Sequence, residues 1–191
     1  MENISPQKNE EYLNSIYEET CRMNTIVSAL LSYNRLSQLT EIKKEKCNLS
    51  QILREETDKY NSFAESVSAE LTENIADNIY AWCNEELIRM AIDNYLSNAL
   101  KYAVGDKKVN VSLSGNKTTF TLEVMNPAEK GSAKNAADIW SEFGKADKSR
   151  QRKGASVGMG LPICKKIFDL HGFEAYSIYK DENIIFGFKS K

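Results

Sequence analysis

Between residues 10 and 40 the sequence carries an apolar stripe that a single helix cannot bury by itself. Six residues repeat at alternating spacings of three and four: Leu13, Ile16, Thr20, Met23, Val27 and Leu30. This spacing, in a stretch without Gly or Pro, predicts one long helix of the coiled-coil or bundle type. The stripe therefore has to be covered, either by partner helices in a bundle or dimer or by the globular part of the same chain.

Composition narrows the classes of function. The formal net charge is −2, which gives no support for nucleic-acid binding. No run approaches the roughly 18 apolar residues that span a bilayer, and the polar first ten residues do not suggest a signal peptide, so no direct membrane contact is expected. The four cysteines lie far apart, which argues against a zinc site. A single histidine, His171, argues against a multi-histidine metal site.

Beyond a charged junction at 41–47, the apolar pattern becomes mixed. Helices are predicted over 49–67, 84–103 and 158–171. Residues 126–157 lose periodicity and are rich in Lys, Ser, Ala and Gly. A gap of this length is too long for a passive connection and suggests a functional lid, at about 127–157.

Strand signals lie between these helices. Two short strands are expected within 69–83, around a turn at Asp77-Asn78. Alternating apolar residues near 109–113 and 120–124 predict a hairpin, with Gly115-Asn116 supplying positive φ. Two closing strands are predicted near 173–179 and 184–188, joined by a turn at 181–183. Because strands and helices do not alternate strictly, we expect an α+β fold, a two-layer sandwich with helices on one face of a mixed sheet.

One helix, over 84–103, carries a polar stripe that suits an anion and a metal. Asn94, Asn98 and Lys101 are spaced by four and three and share one face. A carboxamide oxygen can ligate Mg²⁺, and a lysine can meet phosphate as a point charge. Taken alone, the stripe is more typical of an ordinary solvated helix face.

A second candidate element is a glycine pair that opens directly into a helix. Gly158 and Gly160 would let a ligand approach the backbone, and the helix start offers free N–H groups to phosphate. The Gly-Lys-[Ser/Thr] ending of a Walker A loop is absent. Upstream, residues 145–153 carry five basic residues against one acid, which would suit charge clamps or an ordinary solvated loop.

In this order, the motifs resemble the ATP-binding domain of sensor histidine kinases. That domain belongs to a superfamily shared with a heat-shock chaperone, a mismatch-repair ATPase and type II topoisomerases. The resemblance covers about residues 47–191. Three segments carry it: Asp93–Tyr102 is similar to the family's N box, Ile139–Arg150 to its F box, and Gly158–Ile163 to its second glycine box.

The resemblance implies ATP and Mg²⁺ as ligands and assigns roles to individual residues. Asn98 would coordinate Mg²⁺, and Asn126 would accept a hydrogen bond from the adenine amino group. The other implied ATP-binding residues are Asn94 and Lys101 near the phosphates, Tyr102 beside the nucleotide, Gly158, Gly160 and Leu161 in the phosphate cradle, and Lys145 and Arg150 as lid cations.

The sequence departs from the family pattern at the first glycine box. Where the family usually has Asp-x-Gly, this chain has Asn126-Pro127-Ala128. The Asn oxygen can accept a hydrogen bond but lacks the charge that strengthens it, and Pro127 stiffens the lid hinge. Ala155 and Ser156 also stand where many members have glycines. Weaker nucleotide binding is expected.

The resemblance also includes the amino-terminal helix. The helix at 10–40 resembles, through residues 22–36, the second helix of the family's dimerisation and phosphotransfer bundle. The chain is therefore divided into a partial bundle segment, 1–45, and a catalytic domain, 46–191. The implied activity is transfer of the ATP γ-phosphoryl to a bundle histidine, for relay to an aspartate of a response regulator. The expected setting is a cytoplasmic homodimer within a membrane-anchored protein. The phosphoacceptor is absent, and His171 stands where the family commonly has a structural histidine, so this fragment is not expected to phosphorylate itself.

The sequence alone leaves two alternative functions open. The chain could be a degenerate module that senses nucleotide or acts as a scaffold, which the altered glycine box favours. It could also be a serine kinase of the anti-sigma-factor type, although the long amino-terminal helix and the F-box-like segment argue against this.

Overall fold

The computed structural model describes residues 6–116, 118–128, 138–140 and 158–191. The described helices are α1 (Pro6–Gln38), α2 (Leu49–Ser66), α3 (Glu85–Tyr102) and α4 (Gly160–His171), with a 3₁₀ turn at Asp138–Trp140. The described strands are β1 (Glu45–Asn48), β2 (Glu70–Ile75), β3 (Tyr80–Cys83), β4 (Lys108–Gly115), β5 (Phe120–Pro127), β6 (Glu174–Lys180) and β7 (Asn183–Lys189).

Five strands form one mixed sheet in the order β2-β4-β5-β7-β6. The β2–β4 pair is parallel and the other pairs are antiparallel. Alternate residues of the central strands are buried beneath the helices, as the period of two requires; they include Val109, Val111, Leu122, Val124, Phe186 and Phe188. The α+β two-layer fold predicted from the sequence is confirmed.

Tyr95 of α3 lies at the centre of the aromatic core. Its ring centroid is 5.8 Å from that of Phe168 on α4 and 5.9 Å from that of Phe186 on β7. Phe168 stacks on Phe188 with the centroids 4.3 Å apart. This cluster fixes α3 and α4 side by side on the sheet, which is the arrangement that positions the candidate site.

The structure corrects three details of the strand predictions. The segment at 45–48, expected to be a junction, forms β1, of which only Cys47 is buried. The strands β2 and β3 do not pair with each other, because β2 pairs with β4 and β3 pairs with β1. In the β4–β5 turn, Gly115 has a φ of 153° but Asn116 has no positive φ. The Asn116 side-chain oxygen instead accepts from the backbone N–H of Thr118 at 2.9 Å and of Thr119 at 3.0 Å.

The long helix α1 leaves its apolar stripe exposed. Ile16 is 63% exposed and Met23 is 65% exposed. Near the other end of the helix, Leu36 is buried in the core of the domain. The described part of the domain therefore holds the end of α1 but does not cover its stripe. None of the described helices is long and apolar enough to cross a membrane.

Candidate functional site

The helix α3 presents a polar stripe because its opposite face is fully buried. Its N-cap is Asn84, whose side chain accepts from the backbone N–H of Leu87 at 3.1 Å. Four residues at helical spacing on the inner face have no exposed surface: Ile88, Ile92, Leu96 and Ala99. This rotation of the helix leaves Asn94, Asn98 and Lys101 away from the sheet.

The start of α4 has backbone N–H groups that receive no partner from within the helix. Gly158 adopts a φ of 69°, a left-handed conformation that favours glycine. The N-cap Met159 makes no side-chain capping bond and is buried, with 1% exposure. Met159 thus fixes the position of the helix start while leaving its first N–H groups, and the positive end of the helix dipole, for a ligand.

These two elements meet at Gly160. A Cβ atom built on Gly160 would lie 2.6 Å from Oδ1 of Asn94 and 3.6 Å from Nδ2 of Asn98. The Asn94 amide is oriented by its own helix, since its Nδ2 donates to the Met90 carbonyl at 2.9 Å. A side chain at position 160 would collide with Asn94. The structure therefore brings the polar stripe and the glycine-led helix start together, close enough for one Mg²⁺ and its phosphate ligands to touch both.

The two helices of the site run antiparallel and are joined at three levels. Gly160 lies against Asn94 and Asn98 at one end. In the middle, the Cys164 thiol donates to the Ala91 carbonyl at 3.6 Å. At the far end, Nε2 of His171 accepts from the backbone N–H of Asn84 at 2.9 Å.

Lys101 lies on the α2 side of the stripe rather than beside Gly160. It borders a groove of about 520 Å³ between α2 and α3, whose apolar wall includes Phe63 and Leu100. Its ammonium is 5.8 Å from the centroid of the Tyr102 ring. Burial lowers the pKa of Lys101. Its position near the phosphates stays a prediction.

Asn126 lies buried on β5, with 1% exposure. Its Nδ2 donates to the carbonyl of Pro127 at 2.9 Å, and the same carbonyl accepts from the backbone N–H of Val104 at 3.3 Å. Because a carbonyl can only accept, the amide nitrogen must face Pro127 and the oxygen must face away. A carboxylate would place two acceptors together here, so the amide suits this end of β5 in a way that the acid usual in the family would not.

The F-box-like segment is described only at its beginning. Trp140 packs edge-to-face on Phe186, with the centroids 6.2 Å apart. Lys145 and Arg150, the predicted lid cations, lie outside the described residues, as does most of the predicted lid. Leu161 is half-buried against the core.

Sequence analysis missed the ion-pair network that holds α2 against α3. Arg89 contacts three carboxylates, those of Glu55 at 2.6 Å, Glu56 at 2.8 Å and Glu85 at 2.7 Å. Hydrogen bonds to these three carboxylates raise the pKa of Arg89, the one with Glu56 most strongly. Only the spacing of four between Glu85 and Arg89 was visible in the sequence.

Comparison with known proteins assigns the family. Residues 83–184, more than half of the chain, match the family described as histidine kinase-, DNA gyrase B-, and HSP90-like ATPase. The chain belongs to this family. Relatives that match most of the chain are named as sensor proteins or sensor kinases, and the described fold is that of the ATP-binding catalytic domain of a sensor histidine kinase.

Two relatives illustrate the extent of the similarity. The chain is 28% identical over 163 residues to the heme sensor protein HssS of Staphylococcus saprophyticus, covering 85% of this chain and 34% of the relative. It is 27% identical over 177 residues to the sensor protein kinase WalK of Staphylococcus aureus, covering 89% of this chain and 40% of the relative. The chain thus spans well under half the length of these relatives.

Solved structures share the fold. The nucleotide-free catalytic domain of histidine kinase ThkA matches with a TM-score of 0.68 at 18% identity, over 78% of this chain and 95% of that one. Full-length ShkA in complex with AMPPNP matches with a TM-score of 0.78 at 16% identity, over 99% of this chain and 40% of that one. The second match includes the long amino-terminal helix in its coverage.

Proposed function

We propose that this domain binds Mg²⁺-ATP between α3 and the start of α4 and transfers the γ-phosphoryl group to a histidine of a helical bundle. The observation that carries the proposal is the contact of Gly160 with Asn94 and Asn98. There the carboxamide oxygen of Asn94, a ligand type that suits Mg²⁺, lies beside a helix N-terminus, which suits phosphate, and the amide nitrogen of Asn98 lies next to both. The AMPPNP complex of ShkA, a protein of the same fold, agrees with a triphosphate ligand.

The donor set fits Mg²⁺ rather than a softer metal. Asn98 would supply one oxygen ligand, and phosphate oxygens and water would complete the shell that this ion prefers. When bound, the ion would neutralise charge on the phosphates. The chain's own residues would hold the nucleotide: the backbone at Gly158 and Gly160 would face the phosphates, and Lys101 would add a positive charge.

The proposed chemistry requires positioning more than covalent help from the protein. The only histidine of the sequence, His171, is 6% exposed, and both ring nitrogens are engaged. We therefore expect no self-phosphorylation of this chain by labelled ATP. An acid-labile phosphohistidine on the chain would contradict this expectation.

The same proposal includes a dimer and a response regulator. The exposed stripe of α1 suits the seam of a helical bundle formed with a second copy of the chain. A response regulator is the proposed acceptor of the phosphoryl group. ThkA was solved in complex with the response regulator protein TrrA. That structure matches with a TM-score of 0.77 at 20% identity, over 98% of this chain and 52% of that one. The proposed setting is the cytoplasmic side of a membrane-anchored protein.

Calorimetry with a non-hydrolysable ATP analogue tests the nucleotide site. We expect saturable binding that strengthens with Mg²⁺ in the natural sequence, and at least about tenfold weaker binding, or 1.4 kcal/mol, for Asn98→Ala. Asn61→Ala, at an exposed position on α2, is the matched control and should bind normally. Equal affinity of the two variants would contradict the proposed site.

A further inference from the structure

His171 bridges the two helices of the candidate site at the end remote from the glycines. Its Nε2 accepts from the backbone N–H of Asn84, the N-cap of α3, at 2.9 Å. Its Nδ1 lies 2.7 Å from the Ile167 carbonyl in the last turn of α4. Since a carbonyl can only accept, Nδ1 carries the proton and the bridge requires the neutral imidazole.

The segment leading from α1 is tied to the same point. The Lys44 ammonium donates to the His171 carbonyl at 3.0 Å, and Nδ2 of Asn84 donates to the Lys43 carbonyl at 3.3 Å. The ring of Phe173 stacks on the imidazole with the centroids 5.3 Å apart. The ring thus faces an N–H from α3, a carbonyl from α4 and a phenyl ring from the segment before β6, and none of these groups titrates. The charged group that acts on the ring is the Lys44 ammonium.

We propose that His171 is a positioning residue: its neutral imidazole holds Asn94 and Asn98 against Gly160, and its protonation loosens this contact and weakens nucleotide binding. The weakening of binding rests on the proposed nucleotide site. A protonated ring would point an N–H at the Asn84 N–H, so the bond would be lost and two donors would oppose each other. Because α4 is a stiff rod of about 18 Å, at 1.5 Å per residue, displacement of its end at His171 also moves its start at Gly160.

The direction of the pH effect follows from the surroundings of the ring. Burial is the largest cause and lowers the pKa of His171 below its ordinary value of 6.5; the hydrogen bond to Ile167 raises the pKa, and the positive charge of Lys44, a smaller effect, lowers it. The folded state therefore favours the neutral ring. The contribution of the bridge is complete above pH 6.5 and is lost as the pH falls through the lowered pKa.

The first test compares nucleotide affinity across a pH series for the natural sequence and His171→Gln. Glutamine keeps an acceptor near the Nε2 position but does not titrate. Protonation of the ATP analogue and of the other titrating groups affects both proteins equally, so its effect cancels in the ratio of the two affinities. We expect a ratio near one at pH 8 that falls by about two- to tenfold in acid, the equivalent of one hydrogen bond. A ratio that stays constant with pH would overturn the proposal.

The second test needs no nucleotide. In the ligand-free protein, the Gly160 backbone amide and the Asn98 side-chain amide should shift in NMR spectra with the midpoint of the His171 ring, and should stay constant in His171→Gln. Amide signals that do not shift as the His171 ring titrates would overturn the positioning role. If the natural sequence binds no nucleotide at pH 8, the proposed function fails, while this titration still decides the role of His171.

Discussion

Asn126 shows at the residue scale how a departure from the family pattern can fit its own surroundings. From the sequence, this residue was predicted to be a weaker acceptor for adenine because it lacks a charge. The structure adds that its amide donates to the Pro127 carbonyl, a contact that no spacing rule reveals. The polar stripe was easier to predict, since Asn94 and Asn98 share a face by helical periodicity alone.

Replacement of Asn126 by Asp should destabilise the protein, although it restores the residue that is usual in the family. The new carboxylate would be buried against the Pro127 carbonyl, with loss of the present hydrogen bond. We expect the free energy of unfolding at neutral pH to fall by about 1–3 kcal/mol, with the deficit shrinking in acid as the carboxyl becomes protonated. Urea denaturation measures this, with the exposed Asn74→Asp as the control. A variant as stable as its control would show that the Pro127 contact has no energetic importance.

At the scale of elements, the helices and the two hairpins β4–β5 and β6–β7 were predictable, and the partners of β1, β2 and β3 were not. The helices α2, α3 and α4 each bury one side at helical spacing, a local pattern that the sequence displays. By contrast, β1 buries only Cys47, so its four residues carry no alternation to detect. The parallel partner of β2 is β4, which lies beyond the whole of α3, and such a pairing depends on the tertiary fold.

The contact between α2 and α3 should depend on Arg89. Its guanidinium satisfies Glu56, whose side chain is 4% exposed. In Arg89→Met, the exposed Lys59 would be the one partner left to that carboxylate among the described residues. We expect a loss of about 1.5–3 kcal/mol in the free energy of unfolding, the range for hydrogen bonds to charged groups. Arg22→Met removes a surface pair with Glu19 and should cost less than about 1 kcal/mol; equal losses would contradict the role of the network.

At the scale of the whole molecule, a catalytic domain is joined to a helix whose apolar stripe no described part of the domain covers. The sequence predicted the long helix and the catalytic domain, because a heptad pattern and a set of ordered motifs are visible without coordinates, but the exposure of the stripe came only from the structure. It did not show that the linker at Lys43 and Lys44 contacts both helices of the candidate site. Those contacts connect the long helix to the site through His171 and Asn84.

The stripe of α1 should mediate self-association. Ile16→Glu places a charge in the middle of the seam, whereas Asn14→Glu adds the same charge on another face of the helix. We expect sedimentation analysis to show a dimer of the natural sequence and of the control, and at least about tenfold weaker association for Ile16→Glu, or 1.4 kcal/mol. If Asn14→Glu weakened the dimer as much as Ile16→Glu, the seam would not be the interface.

The most direct measurement of the central claim is an NMR titration of the labelled chain with a non-hydrolysable ATP analogue and Mg²⁺. We expect the side-chain amides of Asn94 and Asn98 and the backbone amides of Gly158 and Gly160 to shift together, with a single dissociation constant. Saturable binding that leaves these four residues unperturbed would contradict a nucleotide site between α3 and the start of α4.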